Sequence, residues 1–441
     1  MRNSLLLFSC LSLSVGVPAT AEARIAVQRS VLENGIVLLS SEQNTLPMVT
    51  LTLLIRAGSR YDPAAREGLA NLTARLLTYG TKTRSAVEIN ETLDFIGASL
   101  STACSEDVAT LNLTVLKKDL DTGLSLLAEL LTESIFPEQE IEREKQSIIA
   151  SIRAKYEEPG EVAQMKFMEA LFPQSRYGRP VEGTADSVRA ITGDGPVEFY
   201  RQYYRPNRAI LAVVGNITHQ EMTQRISTVF QSWKKGPTAD EAPPSVLPGP
   251  SRLVRIDQNL TQANIIVGHV GVPRSHPDYY AIQVMNYVLG GGGFSSRLMD
   301  SIRNERGLAY SVYSSFGAEK FFGTFQIVMQ TKNESAGEAI RIAREEIQKI
   351  REKGASREEL NAAKDFLVGS FPLRIDTNRK VASFLAQVEF LELGLDYPDR
   401  YPNLIRAVTQ EDVLRAARRY LDPEKLIVVA VADQGKAGIQ Q

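Results

Sequence analysis

Two cysteines and three histidines are all that the 441 residues hold of these two metal-binding types. Cys10 lies in the amino-terminal apolar stretch, so only Cys104 remains beyond it and no disulfide can form within the rest of the chain. Neither His219, His269 nor His276 has a second histidine or a carboxylate three or four residues further on, so none starts a helical ligand pair. Each reads as a surface or core residue. Charge of one sign is also missing. With 50 basic and 52 acidic residues the net charge is −2, and no block of five or six like charges occurs. Such a surface recruits neither nucleic acid nor anionic membrane. Beyond the first two dozen residues no apolar run approaches the ~20 residues of a membrane-spanning helix.

At 43% hydrophobic and 23% charged residues, the chain has ample core for two to three domains. Its first 23 residues differ in kind. Arg2 supplies a positive start, Leu5 to Val17 form an apolar stretch, and "PATAEA" offers small-residue cleavage sites after Ala21 or Ala23. That is the layout of a secretory signal peptide over residues 1–23, which predicts an exported mature chain. Only four apolar residues precede Ser9 and Cys10, too few for a lipoprotein signal. In "ASLSTACSEDVATLNLTV" the alternation predicts a strand, with Cys104 as a small buried side chain.

The mature chain is a duplication. "YYRPNRAILAVVGNI" (203–217) is echoed by "RYLDPEKLIVVAVAD" (419–433), each a proline, a basic residue and a β-rich apolar run. "SRYDPAAREGLANL" is echoed by "PRSHPDYYAIQVMNYVLGG", and "FPEQEIEREKQSI" by "ASREELNAAKDFL". Pro206 and Pro423, and Pro63 and Pro277, are separated by nearly the same interval. The expected architecture is therefore two homologous α/β halves of about 200 residues, within the usual size of a domain. They would span 24–236 and 253–441, joined by a proline-rich linker at 237–252. β-rich runs such as "MVTLTLLIRAG" and "RAILAVVG" mix with amphipathic stretches at 122–132 and 336–353. The order suits α+β layers better than repeating βαβ units.

Residues 68–76 read "GLANLTARL". Asp62 and Pro63 predict a helix start, and Gly80 its end. On that helix Asn71, Ala74 and Arg75 share a face. The flanks of this stretch, "EGLA" (67–70) and "L…GT" (76–81), resemble those around the zinc motif of the pitrilysin/insulinase family of metallopeptidases. "RYGRPVEGTADSVRAIT" (176–192), "FYRQYYRPNRAILAVVGNI" and "GGGGFSSRLMDSIRNERGLAYSVYSSF" (290–316) resemble further landmarks of that family. There a helical His-x-x-Glu-His supplies two zinc ligands and a general base, and a downstream glutamate completes the site. By this resemblance Asn71 and Arg75 stand where the histidines would be, Ala74 at the base and Ser151 at the third ligand. Glu144, a supporting acidic position, is retained. A catalytic zinc needs three deprotonated ligands and a water. Asn71 is a poor donor, Ala74 supplies no base, and Arg75 brings a permanent positive charge. The resemblance therefore implies no metal and no catalytic residue on this chain alone.

In the second half, Gly290, Gly291, Gly292 and Gly293 follow an apolar helical run. A phosphate loop would follow a strand and continue into Gly-Lys-Ser/Thr, so nucleotide binding is not expected. These glycines are expected to break the helix and let a peptide backbone approach, as a candidate substrate-contact loop. Arg303 and Tyr310 match an arginine and a tyrosine that the family uses to hold substrate near its scissile carbonyl. The segment 176–192 carries turns and a helix capped by Thr184 or Asp186, and is expected to be structural. The resemblance implies one side of a clamshell: a zinc-less subunit of a periplasmic or secreted heterodimer, offering Arg303 and Tyr310 in trans to a peptide and to a zinc-bearing partner. The alternative is a non-catalytic binding or scaffold protein of the same fold.

Overall fold

The computed structural model describes residues 25–237 and 249–439. The signal peptide expected at 1–23 and most of the linker expected at 237–252 lie outside them. The first half builds a sheet from β1 (Gln28–Val31), β2 (Val37–Glu42), β3 (Met48–Ile55), β4 (Ser99–Cys104), β5 (Ala109–Leu116) and β6 (Ala209–Gly215), in the order β1-β2-β6-β3-β5-β4. The second uses β7 (Leu253–Asp257), β8 (Gln262–Val270), β9 (Ala309–Ala318), β10 (Gly323–Lys332) and β11 (Ile427–Ala432), in the order β7-β11-β8-β10-β9. Without the β1 hairpin strand the two sheets have one topology. β2–β6 and β7–β11 are the parallel pairs, and every other pairing is antiparallel. The echoed prolines sit alike: Pro206 and Pro423 each open a short 3-10 turn before the last strand of their half. The α+β fold with two like halves is thus as expected.

Strands β6 (AILAVVG) and β11 (IVVAVA) are buried at every residue. A continuous apolar strand needs cover on both faces. One face of each sheet packs on helices of its own half. The other is covered by a helix from the opposite half. Pro159–Leu171 lays Val162, Ala163, Phe167 and Leu171 against Ile266, Val429 and Val431 of the second sheet. Asn378–Phe390 lays Val381, Ala382, Leu385 and Phe390 against Leu54, Ile210 and Val214 of the first. The halves thus exchange helices. Each large apolar side chain so buried contributes roughly 1.5–3 kcal/mol.

A polar seam joins them as well. Tyr177 is fully buried, its ring 4.3 Å from that of Phe322, and its hydroxyl donates to Asp107 at 2.8 Å. Arg60 reaches the same carboxylate at 3.3 Å and stacks on Phe321 at 4.8 Å. The 176–192 segment is structural in the expected way. Thr184 caps the Ala185–Ala190 helix in a capping box with Ser187, and Arg176 and Arg179 pair with Glu67.

Candidate functional site

The helix carrying Asn71, Ala74 and Arg75 is shorter than expected. It runs Leu69–Leu76, and residues 62–68 form a turn. Ala65 (φ +64°) and Gly68 (φ +99°) are left-handed, which a continuing helix cannot accommodate. Asp62 still caps it, from a distance: its carboxylate accepts from the N–H groups of Gly68 at 2.8 Å and Ala70 at 2.7 Å. Gly80 does not end the helix; it lies four residues past Leu76, where it pairs with Ser85. Burial raises the Asp62 carboxyl to about 7, against the lowering effect of those two N–H groups.

Asn71 and Ala74 are buried, and the Asn71 Nδ2 has no hydrogen-bond partner among the described residues. Arg75, with its side chain 44% exposed, forms an ion pair with Glu144, whose side chain is 5% exposed on the helix Glu138–Tyr156. The Tyr79 hydroxyl donates to the other Glu144 oxygen at 2.9 Å. Ser151 lies seven residues beyond Glu144 on the same helix and is exposed. At that spacing the two share a face. These residues do not fit zinc. The Glu144 carboxylate already holds a guanidinium, and the positions expected from the resemblance to bear ligands offer an amide, an arginine and a hydroxyl. Among the described residues no group of three or more His, Cys, Asp and Glu is placed to hold a metal.

The histidines are used locally, as expected. His219 pairs with the Ser40 hydroxyl at 2.7 Å, and His276 lies 3.1 Å from the Asp278 N–H. His269 is buried, its Nδ1 2.8 Å from the Val270 carbonyl oxygen. Cys104 ends edge strand β4 partly buried, and burial raises its thiol well above the usual range.

In the second half the glycines do not break the helix at once. Tyr279–Asn286 continues directly into a π-helical turn, Tyr287–Gly291. The close approach at Gly290 is to the protein's own β9, since a Cβ there would stand 2.5 Å from the Ser314 nitrogen. Asn286 and Ser314 lock the contact, the Ser314 hydroxyl donating to Asn286 Oδ1 at 2.8 Å. The chain turns only after this, with Gly293 at φ +59°.

Arg303 stands on a second π-helical turn, Met299–Asn304, and Tyr310 follows at the start of β9. The structure brings them together: the guanidinium carbon is 5.4 Å from the Tyr310 ring centroid. Ser311 pairs with Gln330 and Ala309 with Thr331, so Tyr310 is the extra residue of a bulge. A bulge re-aims its side chain, and Tyr310 is 76% exposed. Phe294, not singled out in the sequence, is 5.0 Å from the same guanidinium and 72% exposed. Its only signal is a large apolar residue directly after the glycine run. Among the described residues, no hydrogen bond, ion pair or ring contact links Arg303 or Tyr310 to Asn71, Arg75 or Glu144.

Two family models match this chain: "Insulinase (Peptidase family M16)" over residues 37–185 and "Peptidase M16 inactive domain" over 192–367. Among curated proteins it is 28% identical to an uncharacterised zinc protease of Streptomyces coelicolor, over 90% of this chain and 87% of that one. It is 26% identical to an uncharacterised zinc protease of Bacillus subtilis, over 89% and 95%. Among solved structures, one described as peptidase M16 inactive domain from Pseudomonas fluorescens superposes with a TM-score of 0.87 at 28% identity, covering 92% of this chain and 98% of that one. A protease from Helicobacter pylori shares the fold, with a TM-score of 0.86 at 20% identity, covering 92% and 100%. The chain belongs to the pitrilysin/insulinase family, peptidase family M16. The residues that the resemblance sets at the zinc-site positions are Asn71, Ala74, Arg75 and Ser151.

Proposed function

We propose that this chain is the zinc-less subunit of a periplasmic or secreted heterodimeric metallopeptidase. Zinc and its activated water would reside on a zinc-bearing partner of the same family, and this chain would form the facing side of the clamshell. Arg303 and Tyr310 then hold the peptide near its scissile carbonyl. A guanidinium and a phenol both donate hydrogen bonds, and each stabilises an oxygen whose negative charge grows in the transition state.

The observation that carries this reading is the opposite state of two arginines. Arg75 is consumed by Glu144, whereas Arg303 has no acidic partner among the described residues and stands beside an exposed tyrosine. The test is to purify the chain alone and mixed with a zinc-bearing family member from the same genome. Peptide cleavage is expected only in the mixture. Arg303→Ala should lower its kcat/KM about 100-fold, the usual loss for one transition-state donor. Full activity of the partner alone would overturn the proposal and leave the scaffold reading.

A further inference from the structure

We infer that Phe294 is a third member of the Arg303–Tyr310 site, a positioning residue that fixes the guanidinium plane and an apolar shoulder that selects the peptide. The preferred ligand is an extended peptide with a large apolar side chain beside the carbonyl that Arg303 binds. This rests on the peptide-binding role proposed above for the pair.

Three observations converge. The Phe294 and Tyr310 rings lie 5.0 and 5.4 Å from the Arg303 guanidinium carbon, and no ring contact joins them to each other among the described residues. The two rings therefore approach the cation from different sides. Two aromatic rings beside a guanidinium restrain it and leave its N–H edge for an acceptor.

Second, that edge is unspent. Among the described residues, the one hydrogen bond Arg303 makes is a weak one to the Met299 sulfur at 3.9 Å. Its neighbours on the same segment are satisfied. Arg297 forms a two-pronged pair with Glu359 at 2.7 and 2.7 Å, and Arg306 donates to the Ser301 carbonyl at 2.6 Å and to Glu305 at 2.7 Å. An arginine prevented from pairing within a segment rich in pairs is available to a ligand.

Third, the chain is shaped to leave Phe294 outside. The Gly290 contact pins the preceding turn to β9, and Gly293 then reverses the backbone at φ +59°. The apolar surface continues nearby, where the Tyr287 ring, against Gly292, lies 5.0 Å from the half-exposed Phe366 ring. A carbonyl bound at the guanidinium edge would place its adjacent side chain against this surface, where aromatic rings offer area at little entropic cost.

The test uses the whole chain and two fluorescein-labelled nonapeptides that differ only in a central Phe or Gly, with binding read by anisotropy. Wild type is expected to prefer the Phe peptide at least fivefold. Phe294→Ala should abolish the preference, Phe294→Tyr should restore it, and Arg303→Ala should weaken both peptides alike. Unchanged melting temperatures exclude a folding defect, since Phe294 is exposed. A preference that survives Phe294→Ala while Arg303→Ala weakens binding overturns this inference alone. If Arg303→Ala binds like wild type, or wild type binds neither peptide, the peptide-binding role of the pair falls with it.

Discussion

The two halves share one sheet topology yet treat the same residue type in opposite ways. In the first, Arg75 is neutralised by Glu144 next to Tyr79; in the second, Arg303 lies beside two exposed rings with no acidic partner among the described residues. Cores and sites have diverged independently. Packing demands constrain the strands of both halves alike, because either sheet must be covered on two faces. Helix ends and loops are free of that demand, and there one half is internally satisfied while the other stays open.

The strongest test of this likeness is the exchanged pair of helices. Phe167→Ala should cost about 3–5 kcal/mol and Leu385→Ala about 2–5 kcal/mol, both from cavities against the opposite half's sheet. Denaturant unfolding should show each variant destabilising the whole molecule in one transition. Two separate transitions, with only one shifted, would break the comparison. A middle-sized effect is expected at the neutralised site. Arg75→Ala leaves the buried Glu144 carboxylate with Tyr79 as its remaining side-chain donor, at about 1–3 kcal/mol. Adding Glu144→Leu should recover most of the loss, because removing both partners spares the unpaired charge. Equal stability of the single and double variants would show that the unpaired carboxylate is not the source of the loss.

A pH dependence separates the two helix starts. Asp62, before Pro63, is raised by burial to about 7, whereas Asp278, after Pro277, is lowered by the Tyr420 hydroxyl and by Arg415. Between pH 4 and 7 the folded state holds a proton on Asp62 that the unfolded state has lost. Stability therefore falls as pH rises through this window, by at most about 1.4 kcal/mol per unit, and levels off above it. Asp278 acts in reverse: its contribution is complete above about pH 4 and is lost as pH falls through its depressed value. Asp62→Asn should flatten the slope between pH 4 and 7 in thermal melts, and Asp278→Asn should leave it unchanged. A slope that persists in Asp62→Asn would remove Asp62 as its source.

Much of this was legible in the chain. The echoed prolines marked equivalent turns because proline fixes φ and cannot continue a strand ladder. β6 and β11 read as β-rich segments because their apolar runs are unbroken. The face holding Asn71, Ala74 and Arg75 also followed from spacing alone. What escaped depends on tertiary context. The apolar side of Pro159–Leu171 does not say which sheet it covers. The left-handed residues Ala65 and Gly68 delay a helix that Asp62 and Pro63 announce. The link between Arg75 and Glu144 joins residues far apart in sequence, and Phe294 shows its role only beside Arg303 in space.

The helix exchange has a consequence for how the polypeptide can be divided. Each moiety hands over the piece that shelters its counterpart, so severing the backbone between them would leave two fragments still clasped. Expressing either fragment without the other would instead strand a bare greasy surface where a loaned arm belongs.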